Sequence, residues 1–177
     1  MLLDLAAFVP QRVLSSQSYL QTKTTHPIEP ANTSQVTGPV QRFARQIASH
    51  GYIVAAPSSY HEFTGPEALA YDGPGTDAGN AWKIEKKLSA YDEDATLSVD
   101  LLTSMETCNG RIGATGMCLG GHLAFRCAFD KRIRAAVCYF ATDIHSQTLG
   151  MGKNDDSIKR VKDITGELIM VRFRLIY

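Results

Sequence analysis

The chain has 177 residues, of which 44% are hydrophobic and 20% charged, with 18 basic residues balancing 18 acidic ones. That is enough chain for one domain with a real core, and nothing implies a second. With zero net charge and charges of both signs interspersed, there is no basic stripe for nucleic acid and no polybasic membrane anchor.

The opening stretch, MLLDLAAFVP, is apolar but short, carries Asp4, lacks a basic leader and is broken by Pro10. It reads as a poor signal peptide and no membrane span, so the cytoplasm is the expected compartment. Met1–Val9 is compatible with a short helix or strand. The rest of 1–34, rich in Ser, Thr and Gln with Pro27 and Pro30 near its end, reads as irregular. The domain proper is expected over 35–177.

From Gly38 the pattern becomes regular. Val40, Phe43, Ala44, Ile47 and Ala48 share one helical face, Pro39 sits in the first turn and Gly51 just past the end, with Arg42 and Arg45 toward solvent. Tyr52–Ala56 is a short apolar run between Gly51 and Pro57, expected to be a parallel core strand. The loop that follows, Ser58 to Glu62, leaves the strand's C-terminal edge, where open α/β sheets place ligands. His61 is therefore a candidate for substrate contact, set against an ordinary surface histidine.

Gly65–Asn80 is rich in Gly, Pro and Asp and reads as a long excursion with a turn of helix near Glu67–Ala70. Its Gly73-Pro74-Gly75 is no phosphate loop, because no Gly-Lys-Ser/Thr follows. Trp82–Leu88 is expected to be a short helix with a solvated basic face of Lys83, Lys86 and Lys87. Asp92–Thr107 reads as a longer helix with an acidic first turn and a core face through Ala95, Val99, Leu102 and Met105.

Arg111–Gly121 is the stretch around which the rest is arranged. A short β-type run enters Gly116-Met117-Cys118-Leu119-Gly120-Gly121 and a helix over Leu119–Phe129 leaves it. This is Gly-x-nucleophile-x-Gly with cysteine in the place where serine is commoner. A tip residue held at positive φ projects its side chain clear of the strand ends, and the neighbouring glycines let strand and helix backbones meet. At a helix N-terminus Cys118 would have its thiolate favoured, and the Leu119 amide would point at a developing oxyanion. The competing reading is an inert, buried cysteine. Ile133–Tyr139 is then a further β-branched strand with Asp143 and His145 past its end, Asp156–Asp163 a short helix, and Glu167–Phe173 another strand. Strand, helix, strand, helix, strand is the signature of a parallel α/β sheet. Cys108, Cys118, Cys127 and Cys138 have neither CxxC pairing nor metal-ligand spacing, which disfavours disulfides, zinc and a redox role for Cys118.

Gly116-Met117-Cys118-Leu119-Gly120-Gly121-His122 resembles the elbow of the dienelactone hydrolases (carboxymethylenebutenolidases), α/β-hydrolases with a cysteine nucleophile. Gln35-Val36-Thr37-Gly38-Pro39, the run Gly51–Pro57 and Tyr139–Asp143 extend the likeness from about Gln35 to Met170. The resemblance implies a three-layer α/β-hydrolase parallel sheet, incomplete at one or both edges, and a hydrolase that opens lactones or enol esters. In it Cys118 is the nucleophile, and the Leu119 amide, with another from near Thr33–Gln35, holds the oxyanion. No metal or organic cofactor is implied, and the oligomeric state is open.

The chain also departs from the family's pattern. Asn32-Thr33-Ser34 stands where the family has Glu-Ile-Tyr, with the glutamate controlling the cysteine's ionisation, and Glu29 does not align with it. No residue near Trp82–Leu88 matches the family's substrate-binding arginine. The family's aspartate and histidine lie beyond the strand corresponding to Glu167–Phe173. Their absence leads to the expectation of a chain truncated or spliced at both ends and impaired as an enzyme, or else a non-catalytic homologue. His145, near Asp143, is the remaining candidate base.

Overall fold

The protein is described by a computed structural model over residues 6–10 (as backbone), 38–64, 69–70 and 72–172. Five strands form one sheet in the order β2-β1-β3-β4-β5: β1 is Ala6–Pro10, β2 Tyr52–Ala55, β3 Ile112–Met117, β4 Ile133–Tyr139 and β5 Glu167–Val171. β3, β4 and β5 run parallel, in register from Gly113↔Ala135 to Met117↔Tyr139 and from Ala135↔Glu167 to Tyr139↔Val171. β3, β4 and β5 make the parallel α/β arrangement expected of an α/β-hydrolase, and among the described residues the sheet stops at five strands.

β1 corrects the position expected for Tyr52–Ala55. It lies antiparallel between β2 and β3, pairing Phe8 with both Val54 and Gly113, so β2 is an edge strand with an antiparallel neighbour and only half-buried side chains. An apolar run bounded by Gly and Pro has the same composition in either setting, which is why pattern alone assigned it to the core.

The helices are α1 (Gly38–Ser49), α2 (His61–Thr64), α3 (Gly73–Glu85), α4 (Leu88–Ser104) and α5 (Leu119–Cys127). α1 buries Val40 and leaves Arg42, Arg45 and Ala48 exposed. α3 replaces the second half of the expected excursion, from Gly73 to Asn80. Its start is chemically well marked: the Asp72 carboxylate accepts from the Gly75 N–H at 2.8 Å and Pro74 occupies the first turn, where its missing N–H costs nothing. α4 begins one turn earlier than expected and α5 ends two residues earlier. The acidic run 92–94 thus lies inside α4 rather than in its first turn. Only Val161–Asp163 of the expected 156–163 helix is helical, as a single 3₁₀ turn.

The core forms where α4 and α5 pack on the sheet. Ala95, Val99 and Leu102 of α4 meet Leu119, Leu123 and Ala124 of α5 over Ile112, Ala114, Ile133 and Ala136. Burying the Val, Leu and Ile side chains among these contributes roughly 1.5–3 kcal/mol each before entropy is counted. Among the described residues no helix is long and apolar enough to cross a membrane.

Candidate active site

β3 delivers the chain to the elbow and α5 carries it away. Between them Cys118 has φ 58° and ψ −117°, a backbone that a side-chain-bearing residue adopts only under constraint. The constraint is visible. The Cys118 N–H donates to Tyr139 O at 3.0 Å, and its carbonyl accepts from His122 N at 3.2 Å and Thr142 N at 3.3 Å. The backbones also approach too closely for side chains: a Cβ on Gly116 would stand 2.2 Å from Gly120 O, and one on Gly121 2.7 Å from Tyr139 O.

Cys118 is half-buried at this tip, and Leu119 opens α5, so its N–H has no acceptor within the helix. The other thiols differ. Burial, reinforced by the charge of Asp130, pushes Cys127 up to about 12, and burial alone pushes Cys138 up to about 12. Cys108 is half-buried on the turn before β3 and accepts from Gly110 N at 3.3 Å.

Neither candidate histidine hydrogen-bonds Cys118 Sγ. His61 sits at the start of α2 with Nε2 3.2 Å from Asp94 Oδ1, and His145 is exposed on the segment after β4. The second oxyanion donor anticipated near Thr33–Gln35 lies outside the described residues. Among those described, no three His, Cys, Asp or Glu side chains gather so as to hold a metal ion.

Two polar clusters pack against the helices around the elbow, and the first overturns the expectation that Lys83, Lys86 and Lys87 form a solvated basic face. Lys86 is fully buried, donating to Asp94 Oδ2 at 2.6 Å and Ser59 O at 2.9 Å with its ammonium 5.0 Å from the centre of the Tyr91 ring. Lys83 Nζ donates to Asp143 Oδ2 at 2.8 Å, leaving Lys87 as the exposed member of the three. On the other side, Arg126 of α5 grips Asp92 through Nε and Nη2 at 2.8 and 2.7 Å and donates through Nη1 to Asp155 and Asp156 at 2.8 Å each. Burial opposes its charge, but the carboxylates of Asp92 and Asp156 outweigh burial and raise its pKa.

Behind the elbow, buried His122 has Nε2 2.9 Å from Ser157 Oγ and 3.3 Å from Asp155 Oδ2. Burial works to raise the Asp155 carboxyl, yet hydrogen bonds from His122 and Ser157 bring it down to about 2. A depressed carboxyl stabilises the fold above its unfolded value of roughly 3.9 and ceases to do so as pH falls through the folded one. Acid unfolding between about pH 4 and 2 is therefore expected to be shallower in Asp155→Asn than in wild type. Equal slopes, measured by circular dichroism, would remove Asp155 from that role. These contacts needed long-range proximity, and the spacing of single charges along the chain gave no signal for them.

Against known sequences, residues 35–166 match the family model described as "Dienelactone hydrolase family". The chain is also 54% identical over 157 residues to a Saccharomyces cerevisiae (strain ATCC 204508 / S288c) protein named "Putative carboxymethylenebutenolidase". That alignment takes in 86% of this chain and 58% of the relative, so the chain spans under two thirds of the length of the relative it matches.

Proposed function

The chain belongs to the dienelactone hydrolase family, and from that premise we propose that it is a hydrolase of lactones or enol esters whose nucleophile is Cys118. The observation that carries this reading is the tip geometry: a half-buried thiol at φ 58° between a strand and a helix whose backbones meet at Gly116 and Gly120. The thiolate adds to the ester carbonyl while the Leu119 N–H stabilises the oxyanion. Collapse of the adduct expels the enolate or alkoxide, which takes up a proton, and leaves a thioester on Cys118. Water then adds to the thioester, the carboxylic acid departs and the thiol is restored.

Supporting a limited rate, no described histidine reaches Cys118 Sγ. The alternative, a homologue that binds esters without turning them over, rests on that same observation, and turnover measured beside Cys118→Ala separates the two.

The reading is tested first on the thiols. Iodoacetamide at neutral pH, followed by peptide mapping, is expected to mark Cys118 first and the buried Cys127 and Cys138 last, since the thiolate is the reactive form. Labelling of Cys108 or Cys127 ahead of Cys118 would leave the elbow without a nucleophile.

A further inference from the structure

The tip of the elbow is held by the segment that follows β4, and that segment is in turn held by α3. Tyr139 O and Thr142 N grip the two ends of the Cys118 peptide, and between and beyond them Phe140 (φ 37°) and Asp143 (φ 62°) occupy left-handed backbone without being glycine. Such residues stay there only where their surroundings fix them. For Phe140 the hold is a 2.7 Å hydrogen bond from its N–H to Val171 O on β5.

For Asp143 the hold comes from a helix 60 residues away in sequence. Lys83 Nζ of α3 donates to its carboxylate at 2.8 Å, with both side chains about one-fifth exposed. Gln147 N and Ser146 Oγ take its carbonyl at 2.9 and 3.1 Å. The two segments are laced again a turn later, where Gly150 N donates to Lys83 O at 3.2 Å and Met151 N to Lys86 O at 2.8 Å. Burial works to raise the Asp143 carboxyl, yet the Lys83 ammonium and a hydrogen bond from Thr142 leave it lowered, so the carboxyl is ionised at neutral pH.

We propose that Lys83 and Asp143 form a positioning pair for Cys118. Their ion pair holds the Thr142–Asp143 turn against the Cys118 carbonyl, and its balanced charge leaves the thiol neither a net cation nor a net anion at that side of the elbow. This rests on Cys118 being the nucleophile. Among the described residues, the other titratable groups on the near ends of the elements that meet at the elbow are Tyr139 and Cys138 of β4, His145 beyond Asp143, His122 of α5 and, behind it, Asp155. None of these is the Lys83 partner.

The consequence is a pair of opposite signs. Lys83→Met leaves the Asp143 carboxylate unbalanced on the turn whose Thr142 N–H holds the Cys118 carbonyl and disfavours the thiolate, whereas Asp143→Asn leaves the ammonium unbalanced there and favours it. In the full chain, the rate of Cys118 carbamidomethylation, resolved by peptide mass, is measured from pH 5 to 10. Its midpoint is expected to move up by about half a pH unit in Lys83→Met and down by about as much in Asp143→Asn, the partial exposure of the pair limiting both. Lys83→Arg, which keeps the charge and the donor, is expected to follow the wild-type profile. Shifts of the same sign in both single variants, or none in either, would overturn the pair's role, as would a Lys83→Arg profile matching Lys83→Met. If wild-type Cys118 is not labelled ahead of Cys108, the nucleophile assignment itself fails, so the two failures are told apart. Should Lys83→Met unfold, Asp143→Asn and Lys83→Arg still decide the matter.

Discussion

On p-nitrophenyl acetate and on a dienelactone, the 177-residue chain is expected to turn over no more than about 10³–10⁴-fold faster than water does, the residue left when a nucleophile and oxyanion donor act without a base. The same chain continued by a family C-terminal segment that carries the aspartate and histidine is expected to be faster by a further ~10²-fold or more, the usual contribution of a positioned general base. The reason lies in the described histidines, none of which hydrogen-bonds Cys118 Sγ: His50 is exposed at the end of α1, against Gln46 O. His61 is taken by Asp94, His122 faces Ser157 and Asp155 from a buried position, and His145 is exposed without touching Cys118. A thiol needs less help than a hydroxyl to ionise, but the second half of the reaction needs water activated, and helix-end electrostatics does not supply that. Both forms are to be assayed beside Cys118→Ala. Equal activity in the two forms would mean that a base within these residues serves, and His145→Ala in the short form would then be the next measurement.

Local chemistry explains which parts of this architecture could be read before any coordinates. The elbow was legible because several requirements coincide within seven residues: a β-type run, two glycines where backbones touch, and a helix immediately after. β4 was legible for a similar reason, its β-branched run being bounded by turns. α3 was missed because Asp72-Gly73-Pro74-Gly75 carries helix-start and turn chemistry in the same four residues. Asp at the cap and Pro in the first turn mean one thing if a helix follows and another if it does not.

The charged clusters show the other limit. Lys86, Asp92, Asp94 and Asp143 look like solvated surface residues along the chain, and each is committed to a partner that the fold brings to it. Lys86 and Asp94 are eight residues apart, yet Lys83 and Asp143 are sixty apart and Arg126 and Asp92 thirty-four. A lysine's burial is a property of the assembled helices and not of its neighbours in sequence. β1 belongs to the same class, since an apolar pentapeptide ending in proline does not state which strands it will separate.

Gly116→Val is expected to cost about 3 kcal/mol or more in folding free energy, and to lower the melting temperature by of order 10 °C, beyond the ~1 kcal/mol of a plain glycine replacement. The argument is steric. A Cβ at 116 would lie 2.2 Å from Gly120 O, 2.4 Å from Gly120 C and 2.9 Å from its Cα. All three are backbone atoms of α5, so no rotamer change relieves the contact. Relief requires α5 to slide away from β3, and α5 is buried along its whole length between the sheet and α4. Its other side is no freer, because Gly121 already lies close against Tyr139 O. Movement at the elbow would also break the bonds from Cys118 to Tyr139 and Thr142 that hold its left-handed backbone. Loss of preferential Cys118 labelling should therefore accompany the loss of stability. Gly73→Ala is the control, because a Cβ there meets nothing within 4 Å, and it is expected to stay within about 0.5 kcal/mol of wild type. Thermal melts of Gly116→Val and Gly73→Ala that cannot be distinguished would mean that strand and helix do not meet at the elbow as described.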